Sequence, residues 1–135
     1  MEKIFYFFRN LYDWFHDKFY RVETGKRIRL QVHDNIFNFM YEPTPYHVLR
    51  KLFIKYPVCK DDHFIDFGCG KGRALVIAAN IGCKNLYGLD ISDSLLDVAA
   101  KNLSRYKKKC ADFYLNLICM DAKKFVFNHN INKFF

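Results

Sequence analysis

Three aspartates each close a short apolar segment: Asp66 in "HFIDF", Asp90 in "NLYGLD" and Asp121 in "FYLNLICMD". Between the first of them and the apolar run "RALVIAANI" stand Gly68, Gly70 and Gly72, interleaved with Cys69 and Lys71. Glycines spaced in this way permit positive φ and let a ligand touch the backbone, and the helix that follows offers free N–H groups and a positive dipole end. A dinucleotide fingerprint needs glycine where Arg73 stands, and the G-K-[ST] ending of a phosphate loop is absent. A carboxylate two residues before the first glycine gains nothing beside a pyrophosphate but attracts an ammonium or sulfonium group. Asp90 suits a ribose, accepting from both hydroxyls. Asp121 suits the amino group of an adenine, with the N–H of Ala122 donating to a ring nitrogen. A single strand-end acid is as often a helix cap; three in register with one glycine turn match the parts of one ligand.

The elements that must position these residues follow from the rhythm of the chain. From Asp62 onward, short apolar strands alternate with helical runs, which implies right-handed βαβ units and a parallel sheet buried on both faces. The fold class expected is α/β, a doubly wound Rossmann-like sheet, here strands one to three and the start of a fourth, preceded by N-terminal helices. Ser92 and Asp93 supply the N-cap region of the second helix, whose Leu95, Leu96, Val98, Ala99 and Leu103 face the sheet. Lys107, Lys108 and Lys109 read as a solvated loop between helix and strand. Upstream, Pro43 and Pro45 in "YEPTPY" exclude helix, and Val48, Leu49, Leu52, Phe53 and Tyr56 give the next segment a helical stripe. The domain division expected is 1–40, an amphipathic helix and an irregular or short extended segment, and 41–135, the ligand-binding core.

Residues 2–20 carry Ile4, Phe8, Leu11, Phe15 and Phe19 on one side and Glu2, Arg9, Asp13, His16 and Asp17 on the other. The leading expectation is a helix whose apolar arc packs on the domain's own core. The alternative is an interfacial membrane or partner helix, because Tyr12, Trp14 and several phenylalanines suit a bilayer boundary. At 135 residues and 51% hydrophobic the chain is globular. Its five cysteines are odd in number and never at C-x-x-C spacing, so neither a disulfide framework nor a zinc site is encoded, and a cytoplasmic setting is expected. No cleavable signal and no spanning run is read in the sequence. The formal charge of +8 points to an acidic partner, whether nucleic acid, an anionic membrane face or an acidic protein.

The segments "IDFGCGKGRAL", "LYGLDIS" and "ICMDAKKF" resemble the first, second and adenine-contacting third motifs of the class I S-adenosylmethionine-dependent methyltransferases, whose cofactor joins a sulfonium, an ammonium, a ribose and an adenine. "YEPTPYHVLRKLF" is similar to a bacterial group of small methyltransferases and, more distantly, to seven-strand lysine methyltransferases; the resemblance covers about residues 40–127. It implies cofactor contacts at Asp66, Gly68, Cys69, Gly70, Gly72, Asp90, Ile91, Asp121 and Ala122. It also makes Tyr41, Glu42, Thr44 and Tyr46 candidate contacts of a Thr-Pro segment folded over the methionine end. The Cys69 thiol is read as a small filler. Lys71 and Arg73 either hold the methionine carboxylate, project to solvent or bridge to a neighbouring loop. No catalytic acid or base is named and no metal is expected, since methyl transfer from a sulfonium needs chiefly orientation and desolvation.

In the family pattern a fourth strand and three more follow, so Ile131–Phe135 is read as the start of a fourth strand cut short. The chain is then expected to self-associate or to be part of a longer protein, and to be inactive alone. Protein lysine and RNA are the acceptors the resemblance favours. A non-catalytic nucleic-acid or membrane-surface binding module on the same fold is the alternative.

Overall fold

A computed structural model describes residues 2–31, 38–110, 112–126 and 130–135. Helix α1 (Glu2–Tyr20) leads to a two-stranded antiparallel ribbon of β1 (Ile28–Gln31) and β2 (Asn38–Tyr41), with Ile28 opposite Tyr41. Helix α2 (Tyr46–Lys55) follows, then β3 (His63–Phe67), α3 (Arg73–Asn80), β4 (Asn85–Asp90), α4 (Asp93–Cys110), β5 (Tyr114–Cys119), a 3₁₀ turn (Ala122–Lys124) and β6 (Lys133–Phe134). The alternating half is therefore the α/β sheet expected, and it is parallel throughout, in the order β5-β4-β3-β6. Ile65 faces Tyr87 and Leu89 faces Ile118 in the register. The segment read as the start of a fourth strand lies along β3, with Ile65 opposite Phe134 and Phe135 N–H donating to the Ile65 carbonyl at 2.9 Å.

The core forms where the apolar strands meet the helices that connect and precede them. Phe64, Leu75, Val76, Ala78, Leu86 and Leu103 are buried, and α3 is buried along almost its whole length, because a helix joining two parallel strands lies flat against them. Leu95, Leu96, Ala99 and Leu103 of α4 are buried as expected, and the Leu95 N–H lies 3.4 Å from the Ser92 hydroxyl that caps the helix. One expectation fails at the other end. Lys107 and the two lysines after it belong to α4, which runs to Cys110, and are not a loop. Cations at a helix C-terminus favour its dipole, and Lys107 is held there by the Phe113 carbonyl at 2.8 Å and Asp112 at 2.9 Å. Tyr20 and Val22 share the core with α2, α3 and α4, and β2 runs across the boundary placed at residue 40.

Helix α1 sits in the opposite orientation to the leading expectation. Its polar stripe turns inward and its aromatic stripe outward: Asp17 and Tyr20 are buried, while Ile4, Phe8, Phe15 and Phe19 are exposed. The cause is Arg73, which opens α3 inside the protein and must be neutralised there. Its Nη1 donates to Asp13 at 2.7 Å and to the Thr44 carbonyl at 3.1 Å, its Nε donates to the Thr24 hydroxyl at 2.6 Å, and its Nη2 lies 3.8 Å from Asp17. The guanidinium stacks 4.3 Å from the centre of the Tyr46 ring. Asp17 also accepts from the N–H groups of Thr24 and Gly25, both at 2.8 Å, and from the Tyr46 hydroxyl at 2.8 Å. Arg21, in the left-handed region at φ 59, stops the helix, and Val22 N–H returns to the Asp17 carbonyl at 2.9 Å.

This arrangement sets two substitutions on α1 against each other. Asp17→Ala leaves the Thr24 and Gly25 N–H groups and the Tyr46 hydroxyl without their acceptor, removes one of the two carboxylates beside the buried Arg73, and should cost about 3 to 5 kcal/mol. Phe8→Ala, on the exposed arc, should cost less than about 0.5 kcal/mol. Denaturant midpoints of the two variants check the orientation of the helix.

Candidate cofactor-binding site

Because β3, β4 and β5 are parallel, their C-terminal ends share one edge of the sheet, and the three aspartates arrive there together. A cavity of about 380 Å³ opens at that edge. Gly68, Asp90, Ile91, Asp121 and Ala122 line it from the sheet side, and Met40, Tyr41 and Glu42 line it from the ribbon. Six of the eleven residues expected at the cofactor thus border one space. Leu89, Leu95, Met120 and Met40 complete the wall. The first three could have been suspected as neighbours of motif residues, whereas Met40 lies in a ribbon that carries no periodic signal.

The glycine turn has three different jobs. Gly68, at φ 75, has nothing within 4 Å of where a Cβ would stand, so it is the glycine that leaves the cavity open. Gly70, at φ 51, is overlain by the chain itself: a Cβ there would come within 2.3 Å of the Tyr41 ring. The close approach read in the sequence as a ligand's is made by Tyr41. Gly72, at φ 80, admits α4, since a Cβ would meet Leu103 at 2.8 Å and Ala99 at 3.3 Å; it does not line the cavity. The Cys69 thiol is buried below the turn, against Gly88 of β4, and burial together with Asp66 and Asp90 pushes its pKa up, so it packs and does not react.

Asp90 ties the turn to the sheet. One carboxylate oxygen accepts from Gly70 N–H at 2.8 Å and the other from Ser92 N–H at 2.9 Å, while Gly68 and Cys69 both donate to the Leu89 carbonyl. Each oxygen of the carboxylate keeps a further lone pair for hydroxyl donors. Asp121 caps the 3₁₀ turn through Lys123 N–H at 2.9 Å and keeps its place on the cavity wall. Asp66 is buried at the end of β3 and is not part of that wall. Burial, and then the neighbouring Asp90 charge, push its carboxyl up to about 7.

The upstream candidates separate. Tyr41 leans over the turn with its hydroxyl donating to the Thr24 carbonyl at 3.0 Å, and burial raises its pKa. The Lys71 ammonium lies 4.9 Å from the centre of the Tyr41 ring and donates to the Lys26 carbonyl at 2.5 Å. Glu42 lines the cavity and pairs with Arg27. Thr44 is not at the cavity: its carbonyl is taken by Arg73. Tyr46 is wholly buried on Asp17 and belongs to the core. Of the three readings open for Lys71 and Arg73, Arg73 takes the bridge to a neighbouring segment, and neither residue borders the 380 Å³ cavity.

The raised Asp66 carboxyl makes a pH prediction. Its folded pKa lies above the ordinary 3.8, so the folded state binds the proton more tightly and the cost of burying the charge is absent at low pH and complete above about 7. Asp66→Asn should therefore raise the thermal midpoint of the cofactor-free protein most at about pH 8, with the gap closing towards about pH 5. An equal gap at both pH values would mean that Asp66 is not the buried acid described.

Comparison with known proteins accords with this geometry. A family model described as histone methylation protein DOT1 matches residues 20–134. A probable cobalt-precorrin-6B C(15)-methyltransferase (decarboxylating) of Methanococcus vannielii is 31% identical over 81 residues, 60% of this chain and 42% of the relative. The H3 lysine-79 specific histone-lysine N-methyltransferase of Kluyveromyces lactis is 29% identical over 109 residues, 78% of this chain and 19% of the relative. An RNA methyltransferase from Salinibacter ruber, solved with S-adenosyl-L-homocysteine, superposes with a TM-score of 0.54 at 25% identity, covering 61% of this chain and 52% of that one. The chain spans less than half the length of these two curated relatives. With 20–134 matched and the sheet, glycine turn and strand-end acids in place, the chain belongs to the DOT1 family, within the class I S-adenosylmethionine-dependent methyltransferases.

Proposed function

We propose that this chain carries the cofactor-holding half of a methyltransferase that uses S-adenosylmethionine and acts on lysine side chains of a protein. The observation that carries the cofactor part is the single cavity bordered by Gly68, Asp90 and Asp121. Its residues fit a nucleoside: Asp90 has lone pairs left for two ribose hydroxyls, Ile91, Leu95 and Met120 offer apolar contact to a base, and the open side of Gly68 leaves room for the ligand. Asp66 and Asp90 lie near enough to raise the Asp66 carboxyl, an acidic environment that suits a cationic ligand and disfavours a pyrophosphate. The bound cofactor supplies an activated methyl group; the chain's own part is to hold it, orient it and keep water from it.

The lysine reading is supported by the family's description as a histone methylation protein and by the lysine-specific relative. RNA is the second reading, favoured by the structural likeness to an RNA methyltransferase and by the formal charge of +8. Tritiated methyl transfer into a cell extract distinguishes them: label that survives ribonuclease and is lost to protease supports lysine, and the converse supports RNA.

Calorimetric titration tests the cofactor site. Asp90→Ala should weaken S-adenosylmethionine and S-adenosylhomocysteine alike, by about 5- to 150-fold, which corresponds to about 1 to 3 kcal/mol for a lost charged acceptor. Gly68→Val should remove binding and lower stability modestly. Gly72→Val should instead unfold the protein, because its side chain would enter α4. Native affinity in the Gly68 variant would place the cofactor elsewhere.

A further inference from the structure

The outward face of α1 has no task in the site described. Its centre is Ile4, Phe8, Leu11, Phe15 and Phe19, with Trp14 at its edge, and Phe8 is 62%, Trp14 52%, Phe15 58% and Phe19 64% exposed. Soluble monomers rarely expose contiguous apolar surface of this kind. The arrangement cannot be relieved by rolling the helix, because Asp13 and Asp17 on its other side are bound to the buried Arg73.

Charge is sorted across the helix in the same way. Asp13 and Asp17 are turned inward, so neither lies on the aromatic arc. Cations stand at its rim: the Lys18 ammonium is 5.7 Å from the centre of the Trp14 ring, and Arg50 of α2 lies 3.3 Å from the Tyr12 hydroxyl. An aromatic face with tryptophan and tyrosine, edged by cations, matches the boundary between headgroups and acyl chains of an anionic bilayer. None of the described helices is long and apolar enough to cross a membrane, so the helix would lie in the plane of the surface.

We propose that α1 is an interfacial anchor, seating its outward aromatic face in an anionic bilayer surface while its acidic face holds the methyltransferase domain through Arg73. A second copy fits less well. It would bring together two chains of formal charge +8 and set like-charged rims against each other, whereas an anionic headgroup layer neutralises the rim and takes up the aromatics.

Trp14 is the only tryptophan in the chain and reports on this face directly. The full chain is mixed with vesicles of phosphatidylcholine and phosphatidylglycerol at about 7:3, and binding is followed by Trp14 emission and by co-sedimentation. We expect a blue shift of the emission, quenching by brominated acyl chains, and weaker binding on pure phosphatidylcholine or in about 0.5 M salt. The double variant Phe8→Ser/Phe15→Ser should bind about tenfold or more weakly. Both positions are exposed, so it should keep its far-ultraviolet circular dichroism and denaturant midpoint. An unshifted Trp14 emission at saturating anionic lipid, from a demonstrably folded chain, overturns the proposal. So does a concentration-dependent dimer that buries Trp14 and persists on adding vesicles.

Discussion

A guanidinium buried at the start of α3 organises the N-terminal third of this protein. Arg73 cannot be left unpaired inside the fold, and its five N–H donors in a rigid fork demand acceptors from more than one direction. Asp13, Thr24 and the Thr44 carbonyl supply them, Asp17 adds a second charge at 3.8 Å, and Tyr46 lies under the planar face. Three segments distant in sequence are thereby drawn to one point: α1, the stretch that follows it, and the proline-rich approach to α2. Arg73 stands where a dinucleotide fingerprint would have its last glycine. The residue that rules out that cofactor class is also the one on which the N-terminal helix hangs.

The glycine turn shows how one short motif can combine folding and binding constraints. Gly68 serves the cavity, Gly70 makes room for Tyr41, and Gly72 makes room for α4, so only the first is spared a side chain for the sake of open space. Asp90 joins the two kinds of constraint, because the carboxylate on the cavity wall also accepts the Gly70 and Ser92 N–H groups that hold the turn against β4. The site is therefore shaped before any ligand arrives, which reduces the ordering that binding must impose.

The same ion pairs that fix α1 also determine what it shows to its surroundings. Two aspartates directed at Arg73 leave the opposite arc of the helix to its aromatics, and a 19-residue helix becomes apolar outside and acidic inside. Buried charge is weak support for stability taken alone, and here its clearest effect is on orientation. Family membership and exposed surface thus come from different parts of the chain: the first from the sheet and its turn, the second from the contacts of one arginine.

Much of the βαβ half was legible in the sequence, because the signals there are local. Alternation of apolar strands with helical runs names the parallel sheet, and parallel strands carry Asp66, Asp90 and Asp121 to a common edge. The sequence by itself also separated the two faces of residues 2–20. It could not say which face goes inward, since the partner that decides the matter lies 60 residues from Asp13, and periodicity carries no information at that distance. Nor could it distribute the three glycines, extend α4 through its lysines, or move Tyr46 from the site to the core. Each of these was decided by a contact between elements: Tyr41 over Gly70, Lys107 on the Phe113 carbonyl, and Tyr46 under Arg73 against Asp17. Composition and spacing specify what a segment can be, and only the packed structure specifies which neighbour satisfies each buried charge and fills the space above each glycine.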